Sequence, residues 1–177
     1  MQKIDVKDYI ASFSDFPKSG INFKDISPIL KSPEALRFVT MEIVKQCSNS
    51  DVIVGLDARG FIFGSLVACE LKKPFIMLRK KGKLPGDTNQ VSYGLEYGKD
   101  TLEIQKGSFE KGQKVAIIDD LLATGGTVKA AIELVESLGG VVDNLSFVIS
   151  LDEKELTTLE SRKQLECYNI NSLASYL

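Results

Sequence analysis

The sequence has 177 residues, a formal net charge of −2 and no histidine, and 44% of its residues are hydrophobic. This length predicts one domain with a sizeable core, and the slightly acidic balance gives no support to nucleic-acid binding. Without histidine, neither a Ser-His-Asp nor a Cys-His mechanism is available, so proton transfer would have to use carboxylates, lysine, tyrosine or water.

The remaining compositional signals exclude several other classes of protein. Cys47, Cys69 and Cys167 form neither a CxxC pair nor a zinc-ligand spacing, and we expect reduced thiols in a cytoplasmic protein. The first residues carry no apolar signal core, and no window approaches the roughly 18 apolar residues of a membrane span. There is no GxGxxG motif, and Gly107 and Gly112, which have Walker spacing, are followed by Gln113 instead of lysine.

The N-terminal quarter of the chain predicts short elements followed by one longer helix. Residues 3–13 have the pattern of a short amphipathic helix, and residues 15–20 are typical of a turn. Residues 21–30 are apolar-rich and interrupted by proline. A helix is expected over 33–47, because a serine precedes its first-position proline and apolar residues then recur along one face.

The middle of the chain predicts buried strands that alternate with a helix and a loop excursion. Residues 51–56 have the continuous apolar pattern of a strand buried on both faces, and a polar loop and a helix over 61–71 follow. Residues 74–78 predict the next strand. Residues 84–106 are rich in turn formers, so we expect two antiparallel strands joined by a flexible loop that can act as a lid.

The most informative stretch is residues 115–127. Four apolar residues predict a buried strand, Asp119 and Asp120 follow, and Thr-Gly-Gly-Thr at 124–127 precedes a helical pattern. Free N–H groups at a helix N-terminus bind anions, and glycine permits close approach. The carboxylates would repel phosphate but could accept hydrogen bonds from two ribose hydroxyls or help to hold a divalent ion. From the residues alone, two solvated acids at a helix start remain an alternative.

The rest of the chain completes an α/β pattern. Residues 145–149 predict another buried strand, residues 152–163 a charged helix, and residues 169–177 a terminal segment with a possible short strand. Right-handed crossovers place the loops that follow successive parallel strands at the same edge of the sheet. We therefore predict a central parallel sheet flanked by helices, with the loops after 51–56 and 115–118 close enough to touch one ligand.

Four motifs resemble those of the type I phosphoribosyltransferases, and in wording those of the adenine-specific members. Asp-Asp-Leu-Leu-Ala-Thr-Gly-Gly-Thr at 119–127 resembles the family's loop for 5-phosphoribosyl-1-pyrophosphate (PRPP). Gly-Leu-Asp-Ala-Arg-Gly-Phe at 55–61 resembles the pyrophosphate loop. The pattern Phe-Pro-x-x-Gly-x-x-Phe-x-Asp-Ile-Ser-Pro at 16–28 resembles the base-binding segment. Arg-Lys-Lys-Gly-Lys-Leu-Pro-Gly at 79–86 resembles the approach to the mobile active-site loop.

This resemblance covers roughly residues 13–165 and implies a single phosphoribosyltransferase domain over 1–177. The implied domain has the type I fold, a small base-binding hood at 1–33 and a flexible active-site loop at 82–106. The implied reaction converts adenine and PRPP to AMP and pyrophosphate. Mg²⁺ is implied as the cofactor, held mainly by PRPP itself. A cytoplasmic homodimer without nucleic-acid or membrane partners is also implied.

The resemblance also implies roles for individual residues. The residues implied to bind the ribose and its 5-phosphate are Asp119, Asp120, Leu121, Leu122, Ala123, Thr124, Gly125, Gly126 and Thr127. Those implied to bind pyrophosphate are Ala58, Arg59, Arg79, Lys80 and Lys83. Those implied to bind adenine are Asn22, Phe23, Lys24 and Leu151. Phe23 would stack on the base, while the backbone of its two neighbours would read the edge of the base. Arg59 and Glu96 are the implied catalytic residues, with Glu96 managing a proton on the purine ring.

From the sequence alone, the same residues also permit purely structural interpretations. Phe23 could be a core residue, Arg59 a surface arginine at a helix start, the basic run at 79–83 a solvated face, and Glu96 an exposed loop acid.

Two positions bear on the choice of base. Ala123 stands where family members that act on 6-oxopurines tend to carry aspartate, which favours adenine. Ser150 stands where the family often has an acid or an amide, which leaves one base contact open.

Two other functions remain: a phosphoribosyltransferase for xanthine or another base, and a regulator that senses PRPP without catalysis. The sequence shows no added DNA-binding region of the kind that such regulators carry.

Overall fold

The computed structural model describes residues 4–95 and 98–177, and Glu96 therefore lies outside the described residues. The N-terminal part contains a 3₁₀ turn at Val6–Tyr9, strands β1 (Ala11–Ser14) and β2 (Asn22–Asp25), and the short helix α1 (Ser27–Lys31). β1 and β2 form an antiparallel pair in which Phe13 lies opposite Phe23.

The prediction of a helix over 3–13 is wrong. Asp5 caps a single 3₁₀ turn by accepting a hydrogen bond from the Lys7 N–H at 3.0 Å, and the backbone becomes extended at Ile10. The following residues then pair with β2. An isolated helix of this length is marginal in water, whereas pairing with β2 satisfies the backbone groups with which the two segments face each other.

The main body of the described chain is a seven-stranded sheet with helices on both faces. Its strands are β3 (Val52–Leu56), β4 (Phe75–Lys80), β5 (Thr88–Leu95), β6 (Gly98–Gln105), β7 (Lys114–Leu122), β8 (Val141–Leu151) and β9 (Ile170–Tyr176). Its helices are α2 (Pro33–Gln46), α3 (Gly60–Leu71), α4 (Gly126–Ser137), α5 (Lys154–Thr157) and α6 (Glu160–Lys163).

The order of the strands is β5-β6-β4-β3-β7-β8-β9. Five adjacent strands, in the order β4, β3, β7, β8 and β9, run parallel to one another. At the β4 edge, β6 is antiparallel to β4, and β5 is antiparallel to β6. The predicted parallel sheet is confirmed. The two antiparallel strands predicted within 84–106 extend this same sheet, so the sheet as a whole is mixed.

The central strands are buried because helices cover both of their faces. Alternate residues of β7 enter two separate core clusters: Val115 and Ile117 pack with α4, while Ala116 and Ile118 pack with α2 and α3. This two-sided burial explains why the strand reads as an uninterrupted apolar run. In the described part of the chain, none of the helices combines the length and the apolar character needed to cross a bilayer.

The C-terminal third differs from the prediction in one segment and confirms the possible strand in another. The charged segment at 152–163 forms two short helices, because Leu159 between them has an extended backbone. Residues 170–176 form a full parallel strand beside β8. In addition, β7 continues through Leu122, so the two aspartates belong to the end of the strand and lie ahead of the loop.

Candidate active site

The loop between β7 and α4 presents an open helix N-terminus. Gly125 has a φ of 82°, and an added Cβ there would lie 3.1 Å from Leu165 and 3.2 Å from the Ser161 carbonyl oxygen. The crowding and the left-handed backbone both require glycine. No side chain of the described residues caps α4, so the first-turn N–H groups beside Thr127 are free to bind an anion.

The two aspartates at the end of β7 are in different environments. Asp120 is buried, while Asp119 is partly exposed and its Oδ1 accepts a hydrogen bond from the Asp120 N–H at 2.8 Å. The surrounding protein nevertheless desolvates the Asp119 carboxyl group, which raises its pKa, and the charge of Asp120 raises it further. Burial also raises the pKa of Asp120, although the Arg59 guanidinium opposes this effect. Two such carboxylates are suited to accepting hydrogen bonds from a pair of neutral hydroxyls.

Arg59 connects the loop after β3 to these acids. Its Nε lies 3.1 Å from Asp120 Oδ2, and its side chain is 42% exposed. Within the described residues, Asp120 Oδ2 is buried without a hydrogen bond of good geometry, so this contact is an ion pair that leaves acceptor capacity unused. The Asp57–Ala58 peptide bond that precedes Arg59 is cis.

Gly60 allows Arg59 to approach Asp120. A Cβ at Gly60 would lie 2.5 Å from the Ile118 carbonyl oxygen and 3.1 Å from Asp119 Oδ1. The start of α3 therefore packs directly on the backbone of β7, at a distance that only glycine permits. This close packing places the pyrophosphate motif beside the PRPP motif.

The basic segment that begins at the end of β4 is held by acids that the sequence analysis did not single out. Arg79 Nε lies 3.2 Å from Asp57 Oδ2, and Lys80 Nζ lies 3.0 Å from Asp100 Oδ2. The hydrogen bond to Asp100 raises the pKa of Lys80. No sequence motif marks Asp100, because Lys80 comes close to it only through the pairing of β4 with β6.

Glu103 holds the turn that contains Lys83. This buried carboxylate accepts hydrogen bonds from the backbone N–H groups of Lys83 at 2.8 Å and Leu84 at 2.9 Å. The Lys83 carbonyl oxygen in turn accepts a hydrogen bond from Arg79 Nη1 at 3.3 Å. A charged residue between two buried apolar residues of a strand was the available signal for Glu103, and sequence reasoning missed it.

The base-binding segment reaches the same edge of the sheet. The Arg59 guanidinium lies 5.5 Å from the centre of the Phe23 ring, and Phe16 packs edge-on against that ring with centroids 5.3 Å apart. Asn22 is exposed. The Lys24 side chain is buried, donates to Ser12 Oγ at 2.9 Å and lies 4.1 Å from the Tyr176 ring centre.

The structure therefore brings three of the four motifs together at Arg59. The fourth, the basic segment, joins the pyrophosphate motif through the contact of Arg79 with Asp57. Tyr93 OH, which lies 3.4 Å from both Asp100 Oδ2 and Thr127 Oγ1, connects the same segment to the start of α4. Leu151 lies at the end of β8. Arg162, which sequence reasoning missed, bridges that end to residues 123–127 of the PRPP motif, the phosphate loop. A groove of about 540 Å³, lined by Phe38 and Leu173 among others, lies apart from these residues.

The carboxylates fit a metal ion that a substrate brings with it. In the stretches 4–95 and 98–177, no group of three or more His, Cys, Asp or Glu side chains is arranged to hold a metal. Asp119 and Asp120 offer two carboxylates at most, and Mg²⁺ commonly combines one or two carboxylates with substrate phosphates. This donor set suits an ion held mainly by pyrophosphate.

Comparison with known proteins identifies the class to which this fold and site belong. The phosphoribosyl transferase domain matches residues 26–173, a range that includes the candidate pyrophosphate loop and the candidate PRPP loop. The chain belongs to the phosphoribosyltransferase family, as the sequence predicted.

Within that family the chain is similar to adenine phosphoribosyltransferases. The one from Methanococcus vannielii is 54% identical over 175 residues, which is 98% of each chain. The crystal structure of the Thermoanaerobacter pseudethanolicus enzyme has a TM-score of 0.88 at 46% identity and covers 97% and 98% of the two chains. The Saccharomyces cerevisiae enzyme has a TM-score of 0.87 at 36% identity, with 95% and 96% covered, in a complex with adenine and D-2,5-dideoxy-2,5-imino-altritol 1,6-bisphosphate. These similarities confirm the predicted fold class.

Proposed function

We propose that this protein transfers the 5-phosphoribosyl group of PRPP to adenine, giving AMP and pyrophosphate. The observation that carries the proposal is the position of Arg59. Its side chain lies 3.1 Å from Asp120 and 5.5 Å from the Phe23 ring, so a cation, a diol-binding acid and a base-stacking ring surround one point. A substrate with a flat base, a ribose and a polyanionic leaving group fits this arrangement, and the similar proteins named above are adenine phosphoribosyltransferases.

The end of β7 and the start of α4 would hold the ribose 5-phosphate. The open N–H groups of α4 and the hydroxyls of Thr124 and Thr127 would bind the phosphate. Asp119 and Asp120 would accept hydrogen bonds from the two ribose hydroxyls. The buried Oδ2 of Asp120, which has no hydrogen bond of good geometry within the described residues, supports this role.

Cations on two loops would bind the pyrophosphate. Arg59 and the loop amide at Ala58 would approach it from β3, and Arg79, Lys80 and Lys83 from β4. A guanidinium matches the paired oxygens of a phosphate, and nearby cations stabilise the charge of the departing group. Bound Mg²⁺ would supply further neutralisation of that charge, with Asp119 and Asp120 as the available protein carboxylates.

The base would lie against Phe23, with the backbone of Asn22 and Lys24 reading its edge and Leu151 closing the pocket. In the reaction, a bond forms between adenine N9 and ribose C1 while the bond from C1 to the pyrophosphate oxygen breaks, with inversion at C1. The N9 proton leaves the base. Glu96, outside the described residues, is proposed as the group that manages this proton. The main contribution of the chain is positioning and charge stabilisation.

Several broader features are part of the same proposal. The N-terminal segment at 1–33 would act as a hood over the base, and the excursion that contains β5 and β6 would cover the reacting atoms. The family resemblance supports a homodimer that works in the cytoplasm. Ala123, which offers no carboxylate toward a 6-oxo group, supports adenine over hypoxanthine or guanine.

The test is AMP formation from adenine and PRPP with Mg²⁺, alongside a panel of other bases and coupled detection of pyrophosphate. We expect turnover with adenine and a loss of most activity in an Asp119→Ala/Asp120→Ala variant. We also expect Glu96→Gln to lower kcat more than it raises KM. Turnover of xanthine or hypoxanthine in preference to adenine would contradict the choice of base. PRPP binding without turnover of any base would favour a regulator.

A further inference from the structure

Arg162 occupies a junction between the two halves of the candidate site. It lies on α6, where the charged sequence gave no functional signal, yet its side chain is only 11% exposed. One terminal nitrogen, Nη1, lies 3.3 Å from the Ala123 carbonyl oxygen and 3.5 Å from that of Leu122. The other, Nη2, donates to Ser150 Oγ at 3.2 Å and to Asp152 Oδ1 at 2.7 Å.

These acceptors belong to two different parts of the site. The carbonyl groups of Leu122 and Ala123 lie where β7 turns into the phosphate loop. Ser150 and Asp152 flank Leu151, the residue proposed to close the base pocket. The guanidinium therefore links the backbone that leads to the ribose phosphate with the strand end that faces the base.

The surroundings of Arg162 strengthen this link. The neighbouring Ser161 hydroxyl donates a hydrogen bond to the Thr124 carbonyl oxygen. Leu165, also on this segment, lies against Gly125, the residue that starts the open N-terminus of α4. Ser150 Oγ donates to Asp152, so the acceptors around the guanidinium are themselves joined by a hydrogen bond. A planar group with five donors in a rigid fork can satisfy such a set, whereas a single ammonium cannot.

We propose that Arg162 is a positioning residue that fixes the distance between the phosphate loop and the base-side end of β8. Its loss would misplace both substrates at once, although it touches neither. This inference rests on the proposed function, because it assigns PRPP to one side of the junction and the base to the other.

The test compares Arg162→Lys with Arg37→Lys. Lysine keeps the charge beside Asp152 but cannot reach the acceptors on both strands. Arg37 undergoes the same chemical change on an exposed face, where its contact with Glu70 is 4.0 Å long. For Arg162→Lys we expect the KM values for PRPP and adenine to rise together by roughly tenfold, the effect of losing a charged hydrogen bond. For Arg37→Lys we expect no change in either KM or in Tm. Arg162→Lys should also have a lower Tm, because its buried hydrogen-bond acceptors lose their donors, so both variants are assayed at a temperature where they are folded.

A second variant protects the test against misfolding. In Arg162→Ala, added guanidinium ion should restore part of kcat/KM for both substrates, whereas the same concentration of sodium ion should not. A lower kcat with both KM values unchanged would indicate only a smaller folded fraction and would contradict the proposal. Unchanged kinetics in Arg162→Lys, or an effect on one substrate alone, would also contradict it.

Calorimetric titration with PRPP in the absence of base separates this inference from the proposed function. If the wild-type protein makes no AMP from adenine, the proposed function is wrong. If the wild-type protein binds PRPP and Arg162→Lys binds it equally well, the inference about Arg162 is wrong. If the wild-type protein neither binds PRPP nor forms AMP, both are wrong.

Discussion

Arg59 Nε lies 3.1 Å from Asp120 Oδ2, and this ion pair joins the loop after β3 to the end of β7. The arginine side chain is 42% exposed, whereas the aspartate side chain is 3% exposed, so the ion pair joins a partly exposed cation to a buried carboxylate. The contact exists because β3 and β7 are adjacent parallel strands whose carboxyl ends meet at one edge.

Replacing Arg59 with glutamine should shift the pH dependence of the reaction. Arg59 lowers the pKa of Asp120 against the effect of burial, so its removal should raise that pKa. If ionised Asp120 is needed to accept the ribose hydroxyl, the acidic limb of the kcat/KM profile for PRPP should move to higher pH. The measurement is kcat/KM for PRPP as a function of pH in Arg59→Gln and in the control variant Arg37→Gln. The acidic limb of the control should lie at the same pH as that of the wild type. A general loss of rate with an unmoved limb would show that Asp120 does not titrate in the profile.

Asp119→Asn should stabilise the unliganded protein while weakening PRPP binding. The folded-state pKa of Asp119 is raised, mainly by burial and then by the charge of Asp120. Its contribution to stability is therefore full below the unfolded pKa of about 3.9, and is lost as the pH rises through the raised folded value. Asparagine removes this cost and keeps an oxygen for the Asp120 N–H.

At about pH 7 the free energy of unfolding of Asp119→Asn should exceed that of the wild type by roughly 0.5–2 kcal/mol, the usual range for a single stabilising substitution. Urea titrations near pH 7 and near pH 4 measure this difference, which should shrink at the lower pH. A difference that is the same at both pH values would rule out ionisation as its cause.

Lys24→Met should raise the KM for adenine and leave that for PRPP nearly unchanged. Lys24 is buried between Ser12 and the Tyr176 ring, so it ties β2, with its neighbour Phe23, to β9. Loss of a desolvated cation–π contact of about 2 kcal/mol corresponds to a change of roughly thirtyfold at most. Lys24→Arg, which keeps the charge above the ring, is the control. Equal increases in both KM values would show that Lys24 acts on the whole domain.

Gly60→Ala should reduce catalysis more than the equivalent change at Gly64 on the same helix. The new methyl at Gly60 would meet the Ile118 carbonyl oxygen at 2.5 Å, and strand backbone cannot move away. At Gly64 the nearest atom, at 2.7 Å, is the end of the Phe75 ring, a side chain with more freedom to shift. Both variants should lose about 1–3 kcal/mol of stability.

Only Gly60→Ala should also separate Arg59 from Asp120. The comparison is kcat/KM for PRPP per folded molecule in the two variants, with the folded fraction measured by denaturant titration. An equal loss in both variants would mean that general overpacking of α3, and not the position of Arg59, limits the rate.

Sequence patterns predicted the elements that carry the candidate site, and failed where elements are short. The strands at 52–56 and 114–122 and the helices that follow them were predictable because two-sided burial leaves continuous apolar runs. The helix over 3–13 and the continuous helix over 152–163 were wrong. In such segments a few residues of local preference are outweighed by strand pairing and by contacts with the phosphate loop.

The sequence by itself determined the order of strands and helices, the family and the residues expected at each loop, because these depend on local patterns and glycine-rich motifs. Only the tertiary structure decided which of those residues meet. It placed Arg59 beside Asp120, gave Lys80 its partner Asp100, and brought Arg162 to two strand ends. The physical reason is that such contacts depend on strand register and on the distance between packed backbones, and those distances are set by atoms far apart in the chain.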